Sequence, residues 1–463
     1  MLLEGDQWRV ADGDLVIDGN RIAAVRLRSA DGRNGHGSDV QIDDHGTGVR
    51  IASCDESDTG VDFDKIIDAS GQLVMPGLIN AHTHTYMSLF RNYADDLEFF
   101  QWLDKVQQVE DSLTEEDVYW ATLLSIVEMY RTGTTCYVDM TLRSPKGDAV
   151  TGPRGAASAA AYDSGIRAFI NRGMVGEADD ADSLRRFREF FSEIELHKDH
   201  SRVNFLLGPH APYSCMPSLL RRLRDIGKEQ GMMATIHISE SAAEVSNMAR
   251  DHGGITPVQY VDQSGLFDLP VIAAHCVKLT EEDIALLRSR NVHVAINPRS
   301  NMKLGNGFAP VEKLLQAGIN ICLGTDGSGS NNTQNLFQEM NFAGLVYKGQ
   351  NQKAKCVDAQ DVLRFATTAG ARALGMEDQL GVIREGALAD LILLDLRVPE
   401  FVPQNNLVSA LVYSANGSEV DTVLVDGQVV MEHRKLLTLD EQQIYQQCER
   451  ITSRLGMRGP SGK

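Results

Sequence analysis

Gly77-Leu78-Ile79-Asn80-Ala81-His82-Thr83-His84 is an apolar run that ends in two histidines one residue apart. Side chains at i and i+2 of a β-strand point to the same side, so His82 and His84 are expected to project together from one strand end. Imidazole is a common metal ligand, and two on one face make half of a zinc site. A bare H-x-H also occurs by chance on structural strands. Its meaning therefore depends on what else the chain sends to the same place.

Outward from that run the chain alternates. Short apolar stretches finish in a polar residue at His82/His84, Asp139, Arg172, His210, His237, His275, Asn297 and Asp326. Helix-compatible stretches lie between them, for example Glu115–Tyr130, Ser183–Leu196, Met216–Gln230 and Glu281–Arg290. Eight strand-then-helix units in roughly 300 residues predict an α/β fold, a (β/α)8 TIM barrel whose active site sits at the C-terminal strand ends. An open doubly wound sheet also alternates, and the count of eight decides against it.

Both chain ends are β-rich instead. Residues 14–26 read as two strands around an Asp18-Gly19-Asn20 turn, and 386–395 and 420–431 are strand-like, the second with an Asp426-Gly427 turn. A small β-sandwich built from both chain termini is the economical explanation. It gives segments 1–75 and 379–463 around a barrel at 76–378, with a terminal helix in the last. Residues 28–62 are rich in Gly, Asp and Ser and read as a long loop or hairpin insertion.

A formal net charge of -20 argues against nucleic acid or an anionic membrane as the main partner. The seven cysteines are odd in number, scattered and never in a C-x-x-C pair. That suits the reduced thiols of a cytoplasmic protein and argues against a disulfide scaffold or a cysteine zinc site. No signal peptide is expected, because Met1-Leu2-Leu3 meets Glu4 and Asp6 at once. No window approaches the roughly 18 apolar residues of a membrane span.

Three later pieces bear on the metal. Met233–Glu240 places His237 at a strand end with Glu240 three residues on, Val271–His275 ends in His275, and Ile321–Asp326 ends in Asp326. Taken singly, each has an ordinary explanation: a hydrogen-bonded structural histidine, a solvated loop carboxylate, an Asp turn residue before Gly327. Jointly, on one barrel mouth, they surround a divalent ion and add a carboxylate for proton transfer.

These motifs resemble the amidohydrolase superfamily over nearly the whole chain. P-G-L-I-N-A-H-T-H (76–84), H-I-S-E (237–240), A-A-H-C-V (273–277), N-P-R-S-N-M-K-L-G-N-G (297–307) and G-T-D-G-S-G-S-N-N (324–332) look like its aminohydrolase branch. Within that branch, R-N-Y-A-D-D-L (91–97), Gln101-Trp102-Leu103, Gly208-Pro209-His210 and N-L-V-S-A-L-V-Y-S-A-N-G (406–417) look most like the 5'-methylthioadenosine/S-adenosylhomocysteine deaminases. The resemblance implies one Zn²⁺ on His82, His84, His237 and Asp326, with Fe²⁺ or Mn²⁺ accepting the same ligands. It implies a catalytic Glu240 that shuttles a proton from water to ring nitrogen N1, a His275 that orients the water, and an Asp326 that accepts a second proton.

For the substrate, it implies Trp102 as an apolar wall, Glu110 as the ribose diol acceptor, His210 at the purine or ribose edge, and Ser330 beside Asp326. Arg172 is expected to meet an amino-acid carboxylate, a pairing its planar fork suits. An ordinary rim ion pair would leave the same residue there. Asp111 follows Glu110, the Trp102-to-Glu110 interval is a residue short, and a second substrate arginine is Arg185, Arg186 or absent. The expected partner is a small nucleoside, in a homo-oligomer. A guanine or pterin deaminase or a triazine hydrolase would share the metal site and differ around Trp102, Glu110, Arg172 and His210. A non-catalytic barrel scaffold would characteristically lose the ligands that this chain keeps.

Overall fold

The computed structural model describes residues 1–28, 48–52, 63–141 and 155–457. Eight parallel strands form the centre: β1 Leu78–Thr83, β2 Thr134–Thr141, β3 Arg167–Arg172, β4 Val203–Phe205, β5 Ala234–Ile238, β6 Val271–His275, β7 His293–Ile296 and β8 Ile321–Leu323. β4-β3-β2-β1 make one hydrogen-bonded arc and β5-β6-β7-β8 the other. A parallel bridge between Leu207 and Ala234 joins the arcs on one side. On the other side Thr325 N–H donates to Asn80 Oδ1 at 3.0 Å, and Asp326 N–H to the His82 carbonyl at 3.0 Å. The sheet is thus a closed (β/α)8 barrel, as the eight strand ends predict.

Such strands are buried on both faces and read as near-continuous apolar runs. Ile79, Cys136, Phe169, Leu206, Ile272, Ala295 and Cys322 form one cluster inside the barrel, drawn from nearly every strand. The outer helices begin on local signals. Thr114 with Asp117, Thr256 with Gln259, and Thr280 with Asp283 are capping boxes that satisfy otherwise unpaired backbone N–H groups. Glu115–Arg131, Ala181–His197, Pro217–Gln230 and Glu281–Ser289 lie where the sequence reading puts helices. Among the described residues no helix is long and apolar enough to cross a membrane.

Two further sheets form the sandwich. One holds Arg21–Leu27, Gly13–Asp18, Gly48–Ala52 and Lys65–Asp68 in that order. The other runs Lys435–Leu436, Gln428–Glu432, Val420–Val425, Leu391–Asp395 and Gln72–Pro76. Leu15, Ile17 and Ile51 of the first share a core with Leu391, Leu393 and Leu424 of the second. Ile392, Leu394, Val420 and Val423 on the opposite face join the main core.

Three features differ from the sequence reading. Gly48–Ala52 is a strand, antiparallel to Gly13–Asp18 and parallel to Lys65–Asp68, where a loop or hairpin insertion is expected. Arg50 hides this strand in a polar surrounding, yet it is buried by its 2.8 Å ion pair with Asp14. The rest of that insertion, 29–47 and 53–62, lies outside the described residues. Gly386–Asp390 is irregular, and the strand begins only at Leu391. Leu2–Glu4 and Gln7–Arg9 form an unanticipated hairpin.

Arg167, at the start of β3, ties the barrel to the sandwich. Its guanidinium takes both oxygens of Asp390, at 2.8 and 3.0 Å, and Asp426 Oδ1 at 2.9 Å, with 1% of the side chain exposed. Removing one partner of a buried pair strands the other charges, at about 3–5 kcal/mol. Arg167→Met should lower the urea midpoint by a corresponding amount, with the variant still folded without denaturant by circular dichroism. An unchanged midpoint would mean that barrel and sandwich are held by apolar contact alone.

Candidate metal centre and pocket

β1 reaches the barrel mouth through a bulge: Asn80 pairs with Tyr137 and Thr83 with Asp139, three residues against two. Bulges of this kind re-aim side chains and recur beside active sites. His82 remains on the strand, whereas His84 lies one residue past its end, before the turn Thr85–Phe90. The i, i+2 reading of a plain strand is therefore incomplete, although both rings arrive at one place. Gly324 permits the close approach of β8, since a Cβ there would meet Asn297 Oδ1 at 2.4 Å and His82 Cβ at 2.8 Å.

The rings of His82, His84 and His237 stand 4.8–5.2 Å apart, and His275 lies slightly farther, 5.4–5.5 Å from His82 and His237. His84 Nε2 is 3.1 Å from His237 Nε2 and 3.2 Å from Asp326 Oδ1, and His82 Nε2 is 3.6 Å from that same oxygen. One donor atom from each of His82, His237, His275 and Asp326 also falls within 4.8 Å of the others. Five potential ligands thus face one point.

Their outer partners orient the rings. His84 Nδ1 donates to the Met140 carbonyl at 2.8 Å and His237 Nδ1 to the His210 carbonyl at 2.7 Å. A carbonyl only accepts, so each Nδ1 carries a hydrogen and each Nε2 is the nitrogen turned inward, the orientation of metal-binding histidines. Both ring nitrogens of His82 are buried and make no hydrogen bond. A buried imidazole without a partner is costly, and a cation beside Asp326 removes that cost. Burial holds the His82 ring down to about 4 and keeps His237 well below its ordinary value, so both are neutral, as ligation requires. The donor set fits a divalent metal.

The neighbouring acids are positioned with equal care. Ser300 and Ser330 hydroxyls both donate to Asp326 Oδ2 at 2.6 Å, leaving Oδ1 for the histidines. Glu240 Oε1 accepts from Asn306 Nδ2 at 3.0 Å, and its Oε2 lies 3.6 Å from His275 Nε2. Burial, then the Asp326 and Glu244 charges, push the Glu240 carboxyl well above the carboxylate range. Asp326 (φ +59°), His275 (φ +73°) and Ser239 (φ +52°) adopt left-handed backbone that side chains rarely accept. Such strain concentrates at functional sites.

Beside this centre is a pocket walled by Tyr86, Phe99, Trp102, Glu110, His210 and Tyr213, with Glu240 and His275 also lining it. Trp102 Nε1–H donates to the Gly329 carbonyl at 3.1 Å, which fixes its ring. Glu110 accepts from the Tyr86 hydroxyl. His210 Nδ1 lies 2.9 Å from Ser214 Oγ. Arg172 and Ser330 do not line the pocket. Ser330 serves Asp326. Arg172, expected to await a substrate carboxylate, is bonded to Glu193 Oε2 at 2.9 Å and Glu189 Oε2 at 3.2 Å. Arg185 and Arg186 are engaged by Asp182.

Sequence reasoning assigned no role to Ser300, Asn301, Asn306, Glu244 or Tyr86. The first three lie in the quoted 297–307 motif, whose run of small polar residues between apolar stretches was the available signal. Glu244 accepts the Ser239 and Glu240 N–H groups at 3.0 and 2.6 Å, a role visible only once the turn is folded.

The chain matches the amidohydrolase family over residues 73–430. It is 44% identical over 399 residues to the 5-methylthioadenosine/S-adenosylhomocysteine deaminase of Caldanaerobacter subterraneus subsp. tengcongensis, covering 85% of this chain and 89% of the relative. It is 38% identical over 461 residues to the protein of that name from Pelotomaculum thermopropionicum, covering 98% and 96% respectively. A crystal structure of an adenosine deaminase from Xanthomonas campestris with bound zinc superposes with a TM-score of 0.83 at 30% identity, over 97% of this chain and 95% of that one. With the match spanning most of its length, and the barrel and its histidines in place, this chain belongs to the amidohydrolase family.

Proposed function

We propose that the protein is a metal-dependent hydrolase that deaminates adenine nucleosides: S-adenosylhomocysteine, 5'-methylthioadenosine or adenosine. The products are the inosine analogue and ammonia. The observation that carries this reading is the buried Glu240 carboxyl, which lines the same pocket as His84, His237 and Asp326. The names of the 38–44% identical relatives and of the zinc-containing neighbour support the substrate class.

In this reading His82, His84, His237 and Asp326 hold one divalent cation, zinc, with Fe²⁺ or Mn²⁺ as alternatives. When bound, the cation supplies the Lewis acidity that makes water a nucleophile at neutral pH. Glu240 takes a proton from that water and gives it to N1 of the purine, which makes C6 electrophilic. His275 orients the attacking oxygen through Nε2, because its Nδ1 is paired with Asn301 Oδ1 at 2.9 Å. Water adds at C6, its second proton passes by way of Asp326 to the exocyclic amine, which leaves as ammonia, and the oxygen stays on C6 as the carbonyl of the inosine analogue. Trp102 walls the nucleoside, Glu110 receives the ribose diol in place of or beside the Tyr86 hydroxyl, and His210 meets its edge.

Protein purified without chelator should carry one metal ion per chain by elemental analysis, and a His82→Ala/His84→Ala variant should carry almost none. Equal metal in both would overturn the ligand assignment. A panel of adenine nucleosides, guanine and a chlorinated triazine should show ammonia release from the nucleosides. Glu240→Gln should keep fold and metal yet lose about 10²-fold or more in kcat, the usual worth of a general acid–base group. Turnover of guanine or triazine alone would move the protein elsewhere in its family.

Arg172 is assigned here to Glu193 rather than to the substrate, because the pair is largely buried with Arg172 outside the pocket lining. Arg172→Met should lower the melting temperature and reduce kcat/KM equally for S-adenosylhomocysteine and 5'-methylthioadenosine. A loss of about ten- to a hundredfold confined to S-adenosylhomocysteine would instead show a charge-assisted bond to its carboxylate.

A further inference from the structure

We propose that Asn306 is a positioning residue that decides which oxygen of Glu240 carries the proton during deamination, an inference that rests on the reading of Glu240 given above. Asn306 is buried, and its Nδ2–H donates to Glu240 Oε1 at 3.0 Å. A carboxyl oxygen that accepts from an amide N–H keeps its lone pairs toward the donor. An amide N–H bonds more strongly to the carbonyl oxygen of a carboxyl than to its hydroxyl oxygen, so the Asn306 donor favours the carbonyl at Oε1. Oε1 is thus the bare oxygen. The proton sits on Oε2, the oxygen turned to His275 Nε2 at 3.6 Å. Proton uptake and delivery both use that one oxygen.

The loop that presents Asn306 is held to the same catalytic groups. Asn306 N–H donates to the Asn301 carbonyl at 2.8 Å, and the Asn301 side chain pairs with His275 Nδ1. Gly305 (φ +69°) and Gly307 (φ +99°) flank it in left-handed backbone, and a Cβ on Gly307 would come within 3.0 Å of Lys278 Nζ. The Glu240 backbone is fixed from the other side by Glu244. Glu240 therefore has one settled orientation, and Asn306 supplies the only direct side-chain hydrogen bond given to its carboxyl among the described residues.

The test uses the metal-loaded full chain with its best nucleoside. Asn306→Asp, nearly isosteric, replaces the donor by an acceptor, and Asn306→Leu removes it. Both should keep one metal per chain and lower kcat by about ten- to a hundredfold, the worth of one hydrogen bond to a charged group. KM should stay within about threefold, which a general loosening of the pocket would not give. In the Glu240→Gln background, where no proton is carried, the same substitutions should cost under about threefold, because groups that act as a unit are non-additive. Full kcat in Asn306→Asp, or losses that multiply onto Glu240→Gln, would overturn the inference. Should the Leu variant not fold, the Asp variant decides alone. An unimpaired Glu240→Gln would instead refute the reading on which the inference rests.

Discussion

The Asp326 N–H donates to the His82 carbonyl across the seam where the last barrel strand meets the first. With the Thr325 N–H bond to Asn80 Oδ1 beside it, that bond closes the barrel and brings a neutral imidazole and a carboxylate to the same point. A misplaced seam would disperse both. The network around it is correspondingly dense: Asn80, Thr83, Thr325 and Gln334 exchange buried hydrogen bonds of 2.7–3.4 Å beside His82 and Asp326. Buried networks of this kind are stable only when nearly every member is satisfied. Beside this network both ring nitrogens of His82 are buried without a hydrogen bond, which fits a site for a cation.

Around that seam the structure uses a simple division of labour. The histidines and acids at the mouth come from strand ends or just past them, and many of the groups that hold their side chains come from the loops and short helices beyond. Met140 and His210 offer backbone carbonyls to His84 and His237. Ser300 and Asn301, on the short helix Pro298–Lys303, serve Asp326 and His275, and Asn306 in the turn after it serves Glu240. One segment between β7 and β8 thus orients Asp326, His275 and Glu240 together. Fixing donor direction before substrate arrives is what lets such groups act without reorganisation.

Much of this was legible in the sequence because barrel strands announce themselves twice, by an apolar run and by the polar residue that ends it. His82, His237, His275 and Asp326 carry that signature, and the structure gathers them. Arg172 carries it equally, and there the sequence is mute. A guanidinium at a strand end looks the same whether it awaits a substrate carboxylate or neutralises Glu193 on the following helix. Asn306 shows the opposite difficulty. It acts on a residue 66 positions away through one hydrogen bond, and no local pattern records such an approach. The strand Gly48–Ala52 was obscured for a third reason, since its buried Arg50 makes sense only beside Asp14.

The placement of strain follows from the same logic. Ser239, His275, Cys276 and Asp326 all take left-handed backbone at or just past strand ends. Such conformations cost of order 1–3 kcal/mol each. They persist because hydrogen bonds close on both sides: Cys276 N–H on the Ile238 carbonyl, Val277 and Lys278 N–H on that of Ser239. The rigid barrel beneath, with its filled interior and its Arg167 tie to the sandwich, stabilises the fold enough to hold these residues strained. The bottom of the barrel therefore supplies the stability that the top expends on geometry, and the site is built where the fold can best bear its cost.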